Sequence, residues 1–278
     1  MASLAARKVA IVLGTHNFYE LAKTFGGSTA EATFRGRTLF SYLRSFFDVQ
    51  VLCAKEINEL LVAEMSWVKS PATGMEAFLS GDDRTRFGLK VEGLAAGIFN
   101  QDDAALLKNQ SAFASGIRAS QIRHFHRRPE IKESLKSISA AGLSRWIQIE
   151  TFGPVGFLIL ASHIQGRFPE VPNDEVREYA SALLTLPARR IARGLVSTNL
   201  YYNWRCANRD SIPADLFDDM YHVLNATYCD IYATKESRQA EYATLLLTSN
   251  TRVKIYDGKT PLDQWLEELA TECETSKR

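Results

Sequence analysis

The sequence predicts an α/β protein in which a parallel sheet is interrupted by a long, mainly helical insertion. Short runs rich in β-branched residues lie near both ends of the chain, and amphipathic segments with helical spacing follow them. Between residues 70 and 209, helical patterns dominate and no stretch alternates between apolar and polar residues as a strand would. Because the α/β pattern stops and then returns, we expect one sheet built from both ends of the chain.

The N-terminal part alternates between strand and helix patterns. Residues 8–13 (KVAIVL) form a short apolar run typical of a buried parallel strand. Helical spacing of apolar residues follows over 18–25 and 38–47, and VQVLC at 49–53 is a second strand candidate. Residues 56–67 then form an amphipathic helix with apolar side chains at i, i+3, i+4 and i+8.

The middle of the chain is predicted to be helical, and the C-terminal part returns to alternating helices and strands. Helices are predicted over residues 102–115 and 173–186, the second beginning with acidic residues that favour a helix N-terminus. From residue 212 the α/β pattern returns as a helix beginning at Pro213, a strand at 231–233, a helix at 239–247, a strand at 252–256 and a last helix near Pro261. We therefore divide the chain into an α/β domain of residues 1–69 and 210–278 and a helical insertion of residues 70–209.

Composition limits the classes of protein that fit. The chain has 278 residues, of which 46% are hydrophobic, which is enough to bury a full core. Lys and Arg total 33 and Asp and Glu total 32, so a nucleic-acid-binding surface would have to be a local patch. The four cysteines lack zinc-ligand spacing, and we expect reduced thiols. The longest apolar run, 155–161, is shorter than the roughly 20 residues that span a bilayer, and the first residues lack a signal-peptide pattern. We expect a soluble, cytoplasmic protein.

Acidic side chains near the C-terminus are the most informative candidates for function. Asp218 and Asp219 lie in a predicted helix that also carries His222, and the next strand ends on a Thr-x-Glu pattern at Thr234 and Glu236. Acids at the carboxyl ends of strands and on adjacent helices can converge in the crevice of an α/β sheet. Converging carboxylates are what Mg²⁺ needs, so the pattern favours a metal-dependent site that cleaves phosphodiesters.

These residues resemble a known family, the PIN-like (PIN domain) nucleases. The C-terminal pattern that carries the resemblance is Asp219-x-x-His222, Ala226-x-Tyr228-Cys229-Asp230 and Thr234-x-Glu236, followed by a helix and a strand. Near the N-terminus, VAIVL at 9–13 and NFYELA at 17–22 are similar to the strand and helix that carry the family's helical glutamate. The resemblance covers about the first 65 and the last 65 residues. The helical middle matches no family that we can name.

The resemblance implies a three-layer α/β/α fold with a parallel sheet, and a ribonuclease that cuts single-stranded RNA with Mg²⁺ or Mn²⁺ held by three or four acids. The matching catalytic and metal-binding positions are Glu20, Asp219 and Glu236, with Asp218 as a further metal ligand. The family usually has Asp where Glu236 stands. The residues assigned to substrate binding are Asn17, His222 and Thr234.

One position departs from the family pattern. The family places its first Asp at the end of the first strand, where this chain has Gly14. Either residues 8–13 are that strand and its acid is lost, or they are the family's second strand and the first lies upstream of Met1. The segment around Glu20 favours the second register. In both cases the central carboxylate is missing, which should weaken Mg²⁺ binding because Mg²⁺ relies on few protein charges.

A basic segment with interleaved aromatic residues lies in the middle of the chain. RHFHRR at residues 123–128 could hold a phosphate backbone through Arg127 and Arg128 and stack a base on its aromatic side chain. The alternative is a solvated helix end that stops at Pro129, and the composition favours this alternative.

Three functions follow from the sequence. The first is a PIN-like, metal-dependent endoribonuclease, with possible partner contacts through the helical insertion. The second is a catalytically impaired PIN-like module that binds RNA or a protein, and the third is a helical interaction protein whose acids only solubilise its surface. The nuclease hypothesis predicts that the carboxyl groups of Glu20, Asp219 and Glu236 lie within about 4–8 Å of one another, a separation that one cation with oxygen ligands can span.

Overall fold

The computed structural model describes residues 9–26, 29–70, 76–185, 190–208, 216–247 and 251–275. Over these ranges the chain is mainly helical and contains two short pairs of parallel strands. The architecture therefore agrees with the predicted α/β class at a coarse level, with a larger helical share than the sequence pattern suggested.

Strands and helices alternate in the N-terminal part, as predicted. Its elements are β1 (Ile11–Leu13), α1 (Thr15–Ala22), a 3₁₀ turn (Lys23–Gly26), α2 (Ala30–Gln50), β2 (Val51–Cys53) and α3 (Ile57–Lys69). Helix α2 begins earlier than predicted because the Thr29 hydroxyl accepts a hydrogen bond from the Ala32 N–H at 3.1 Å, which caps its first turn. The cap lengthens α2 well beyond the predicted residues 38–47.

The middle of the chain is helical, as predicted, apart from an isolated antiparallel bridge between Phe78 and Ala54. Pro129 and Pro154 occupy the first turns of two helices, where a missing N–H costs nothing. The helices are α4 (Gly81–Ala95), α5 (Gln101–Arg127), α6 (Pro129–Lys136), α7 (Leu143–Thr151), α8 (Pro154–Arg167), α9 (Asn173–Thr185) and α10 (Arg190–Asn208), with a 3₁₀ turn at Ala140–Gly142.

The C-terminal part returns to alternating elements. They are α11 (Leu216–Leu224), β3 (Ile231–Thr234), α12 (Ser237–Leu246), β4 (Arg252–Ile255) and α13 (Leu262–Thr275). Helix α11 ends at Leu224, whereas the sequence pattern predicts a helix to about Tyr228, and the predicted start at Pro213 lies outside the described residues. Turns fill residues 225–230 and lead directly into β3.

The strands pair in two separate units. Strand β1 lies parallel to β2 with Leu13 opposite Cys53, and β3 lies parallel to β4 with Thr234 opposite Ile255. In the described part of the chain these pairs do not join into the single sheet that the sequence predicted. Beyond the end of β1, Gly14 is in close contact with the Asn225 side chain from the turn after α11. The three-layer PIN-like arrangement stays a prediction.

Two large hydrophobic clusters form the core. The first packs α1, α2 and α4 against β1 and β2 around Phe18, Phe40 and Val91. The second joins α3 with the middle helices and with α11 and α12, and α10 contributes the most buried residues to it. The second cluster crosses both predicted domain boundaries, at residues 70 and 209, and the first crosses the boundary at residue 70. The domain division stays a prediction.

Membrane-spanning potential was assessed over the described residues. No single helix there is both long enough and apolar enough to cross a bilayer, although the bent pair Ala140–Thr151 and Pro154–Arg167 passes on length and composition together.

Candidate functional site

The two ends of the chain meet where α1 packs against α11. The Asn17 amide nitrogen lies 3.1 Å from Nε2 and 3.3 Å from Nδ1 of His222. The amide oxygen of Asn17 accepts the Gly14 N–H at 2.9 Å, which fixes the orientation of the amide. Two residues predicted to bind substrate are therefore hydrogen-bonded to each other.

His222 lies in a partly buried position between the two ends of the chain. Its ring meets the Tyr232 ring edge-on, with 6.2 Å between the ring centroids. Burial lowers the pKa of His222, and the negative charge of Glu20 opposes that shift. Because Asn17 donates its amide hydrogen, the ring nitrogen that receives it must be unprotonated. The contact therefore holds His222 in its neutral form.

Three predicted acids act on this region from different elements. Glu20 is exposed on α1 and forms an ion pair with Lys23. Its negative charge acts to raise the pKa of His222. Burial raises the pKa of Tyr232 well above its usual range, and the charges of Asp219 and Glu236 raise it further. The charge of Glu20 therefore acts on His222, and the charges of Asp219 and Glu236 act on Tyr232. The predicted separation of about 4–8 Å between the three carboxyl groups stays a prediction.

The Thr234 hydroxyl is hydrogen-bonded within the protein. Its buried hydroxyl accepts the Glu236 N–H at 3.0 Å and lies 3.1 Å from Oε1 of Gln239, to which it can donate. These contacts use its donor and one of its acceptor positions. Thr234 therefore shapes the start of α12, and a role in substrate binding stays a prediction.

The acids were tested for their fit to a metal ion. Among the side chains that the structure describes, no group of three or more His, Cys, Asp or Glu residues is placed to hold one. The Asp218 side chain lies outside the described residues. The described donors therefore do not fit Mg²⁺ or Mn²⁺, and the metal-binding role of Glu20, Asp219 and Glu236 stays a prediction.

Gly14 would be the position of the family's first aspartate if residues 8–13 are its first strand, and packing closes this position. A Cβ atom built on Gly14 would lie 2.8 Å from Nδ2 and 2.9 Å from Cβ of Asn225, which is closer than such atoms approach in proteins. A carboxylate cannot occupy residue 14 unless Asn225 moves. The Gly14 position is thus adapted to close packing between β1 and the turn after α11.

The basic segment forms the exposed carboxyl end of α5. Phe125 is 6% exposed and packs with Leu135 and Ala207, so it cannot stack on a base as the sequence suggested. Arg127 is exposed, whereas Arg128 is partly engaged because its Nε donates to Glu130 at 2.6 Å. Phe125 anchors the segment, and the basic side chains around it face solvent.

A buried polar group beside the candidate site is absent from the sequence predictions. Tyr201 on α10 meets the ring of Tyr242 on α12 and carries the Arg205 guanidinium over its own ring. The charges of Asp219 and Glu241 act on Tyr242. The available signal was the spacing of four between Tyr201 and Arg205, which places both on one face of a helix otherwise rich in apolar residues.

Comparisons with protein-family models, with curated proteins and with solved structures gave no match to this chain.

Proposed function

We propose that this protein is a PIN-like module that binds single-stranded RNA and lacks a complete metal-dependent catalytic site. The observation that carries the proposal is the exposed basic end of α5, anchored by the buried Phe125 beside the carboxyl end of α10. The overall charge of +1 provides no general attraction to RNA, so a local surface of this kind has to supply it.

The basic end of α5 has the features that phosphate binding requires. The exposed cationic or ionisable side chains there are Arg123, His124, His126, Arg127 and Arg128. These residues flank the buried Phe125, which fixes the backbone of the segment while the basic side chains extend into solvent. Neutralising phosphates with such side chains releases counterions and makes binding depend strongly on salt.

Two features argue against efficient metal-dependent cleavage. No group of three described acids is placed to hold a cation. If residues 8–13 are the family's first strand, Asn225 also blocks the place of its central aspartate. Mg²⁺ keeps most of its water and depends on a few well-placed carboxylates, so the loss of one should reduce its affinity markedly. Binding without cleavage is therefore favoured.

The endoribonuclease stays a second candidate because of one observation. Asp219 and Glu236 both act electrostatically on Tyr232, and Glu20 acts on its neighbour His222. A bound RNA phosphate and a cation together could draw these three acids closer than they are in the free protein.

The binding proposal is tested with a fluorescein-labelled single-stranded RNA of about 20 nucleotides, by anisotropy in EDTA over a series of salt concentrations. Replacing Arg123 and Arg127 by Ala should weaken binding about tenfold and reduce the salt slope by about 1.4, or about 0.7 for each lost phosphate contact. The control replaces two exposed arginines on other helices, Arg35 and Arg86, and removes the same charge. Equal losses in both double variants would contradict the proposal.

A second measurement separates binding from cleavage. The same RNA is incubated with Mn²⁺ and either the natural protein or Asp219→Asn, and the products are resolved on a denaturing gel. We expect intact RNA in both cases. Metal-dependent cutting that disappears in Asp219→Asn would instead establish the endoribonuclease.

A further inference from the structure

Arg205 is a buried cation with an unsatisfied hydrogen-bond donor. Its side chain is on α10, it is 7% exposed, and its guanidinium carbon lies 5.9 Å from the centre of the Tyr201 ring. Its Nε has no hydrogen-bond partner in the part of the chain that the structure describes. Burying a charge without a partner costs several kcal/mol in general, so such a group calls for an explanation.

A second unsatisfied donor lies beside it on α12. Tyr242 is fully buried, its ring meets the Tyr201 ring edge-on at 5.3 Å, and its hydroxyl has no hydrogen-bond partner. Burial raises the pKa of Tyr242 to about 12, and the positive charges of Arg205 and Arg238 oppose that shift. Tyr242 therefore stays protonated at neutral pH and can donate a hydrogen bond.

The charges near Tyr242 are equal in number, but two buried hydrogen-bond donors, Arg205 Nε and the Tyr242 hydroxyl, have no acceptor among the described residues. Arg205 and Arg238 are opposed by Asp219 and Glu241, which also act on Tyr242. The carboxylate of Glu241 already accepts the Tyr201 hydroxyl at 3.3 Å. A guanidinium has five N–H donors in a planar fork, and for Arg205 the structure records a ring contact with Tyr201 but no hydrogen bond.

We propose that Arg205, Arg238 and Tyr242 form an oxyanion site for a phosphate group between α10 and α12. Arg238 precedes Tyr242 by one helical turn, so both lie on the same side of α12, with Arg238 exposed and Tyr242 buried. Arg205 lies on the Tyr201 ring, which in turn meets the Tyr242 ring. The fork of Arg205 would hold two oxygens of the phosphate, and the Tyr242 hydroxyl would donate to a third. The phosphate can belong to an RNA backbone or be free in solution, and the two sources are separated below.

An anion-binding Arg205 and a purely structural Arg205 should affect the stability of the free protein differently. If Arg205 exists to bind an anion, Arg205→Met keeps the apolar stem and removes a costly buried charge, so the free protein should be as stable as before or more stable. If Arg205 is instead balanced within the fold by Asp219 and Glu241, the same change should lower the melting temperature.

The test measures the melting temperature by circular dichroism in HEPES, with inorganic phosphate or with NaCl at matched ionic strength. We expect a rise that grows with the logarithm of the phosphate concentration, reaching about 5 °C at about 100 times the Kd, and no rise with chloride. Arg205→Met and Tyr242→Phe should lose most of this rise, whereas the exposed control Arg86→Met should keep it. Tyr242→Phe preserves the buried ring and so remains informative if Arg205→Met does not fold.

The phosphate site can be tested independently of the proposed RNA binding. It is overturned if phosphate gives no rise, if the rise survives in Tyr242→Phe and Arg205→Met, or if Arg205→Met melts several degrees lower without phosphate. With the phosphate effect established, a tenfold loss of RNA affinity in Arg205→Met identifies the RNA backbone as the source. Unchanged RNA affinity identifies free phosphate, and the site stands in either case.

Discussion

Glu64 shows how a single buried carboxylate can join distant parts of this chain. It is fully buried and accepts the N–H groups of Ile191 and Ala192 at 2.8 and 3.0 Å, together with the hydroxyl of Tyr228. The two N–H groups belong to the first turn of α10, where the helix dipole favours a negative charge. Burial raises the pKa of Tyr228 well above its usual range, and the charge of Glu64 adds to the shift.

We predict that Glu64→Gln lowers the free energy of unfolding by about 3 kcal/mol, because the amide replaces one acceptor oxygen by a donor facing an N–H group. Urea denaturation followed by circular dichroism measures this loss. Glu31→Gln on the exposed face of α2 is the control and should change stability by less than about 0.5 kcal/mol. A loss for Glu64→Gln no larger than that of the control would show that Glu64 is not the anchor of α10.

At the scale of elements, the corner between α7 and α8 depends on a glycine. A Cβ atom built on Gly156 would lie 2.2 Å from the carbonyl oxygen of Thr151 and 2.6 Å from that of Glu150. These are backbone atoms, so the contact cannot be relieved by a side-chain rotation. The same helix contains Gly166, where an added Cβ meets nothing within 4 Å.

This pair of glycines provides a matched test. Gly156→Ala should lower the free energy of unfolding by about 3 kcal/mol because the corner has to open. Gly166→Ala should raise it by about 0.5–1 kcal/mol because Ala has the higher helix propensity and restricts the unfolded chain. Both values come from chemical denaturation. Similar effects of the two substitutions would contradict the close approach at the corner.

The junction between β1 and α1 gives a second test at this scale. Gly14→Asp places a carboxylate where the family has its first Asp if residues 8–13 are the family's first strand. It also forces that side chain against Asn225, so we expect the free energy of unfolding to fall by about 2–3 kcal/mol. Asn225→Ala in the same chain should recover most of that loss.

The double variant also tests the metal hypothesis. Isothermal titration with Mn²⁺ should show tighter binding to Gly14→Asp/Asn225→Ala than to Asn225→Ala alone if Glu20, Asp219 and Glu236 are the remaining ligands. Equal heats from both proteins would count against a metal site at this place.

At the scale of the whole molecule, the contact between Asn17 and His222 joins the N-terminal elements to the C-terminal ones. Groups that face the His222 ring among the described residues include Asn17 and Glu20 from α1 and Tyr232 from β3. The folded protein lowers the pKa of His222 below its usual 6.5, so the unfolded chain takes up a proton first as the pH falls. The stabilisation is therefore complete above about pH 6.5 and is lost as the pH falls below that value.

We predict a coupling of about 1 kcal/mol between Asn17 and His222 at pH 8 in a double-mutant cycle with Asn17→Ala and His222→Ala. The coupling should decline as the pH falls through the lowered pKa of His222, because a protonated ring has no acceptor for the Asn17 amide. Urea midpoints at a series of pH values measure it. A coupling that does not change with pH would show that the contact is one of packing alone.

Local patterns in the sequence were enough to predict most of the elements. Apolar residues at helical spacing placed α3 within two residues of its observed end, and the β-branched runs placed β1, β2, β3 and β4 in the correct order. These signals are local because a helix or a strand has to bury one face, and the burial pattern follows the geometry of its own backbone. Caps formed by single side chains, such as Thr29, shifted the boundaries.

The candidate site was predictable only in part. The sequence pattern predicted Asn17, Glu20 and His222 as site residues, and in the structure Asn17 contacts His222 while the charge of Glu20 acts on it. It could not show that Phe125 turns inward, since the direction of an aromatic side chain depends on which helix packs beside it. It also could not identify Arg205, because an unpaired buried charge is visible only once its surroundings are known.

The sequence by itself therefore determined the type and order of the secondary structure, since hydrophobic spacing and turn residues act over a few positions along the chain. Only the tertiary structure decided that the strands form two pairs, that Asn225 closes the end of β1, and that a buried arginine lies between α10 and α12. These features depend on contacts between residues far apart in the chain, and no local pattern encodes which distant side chain fills a given space.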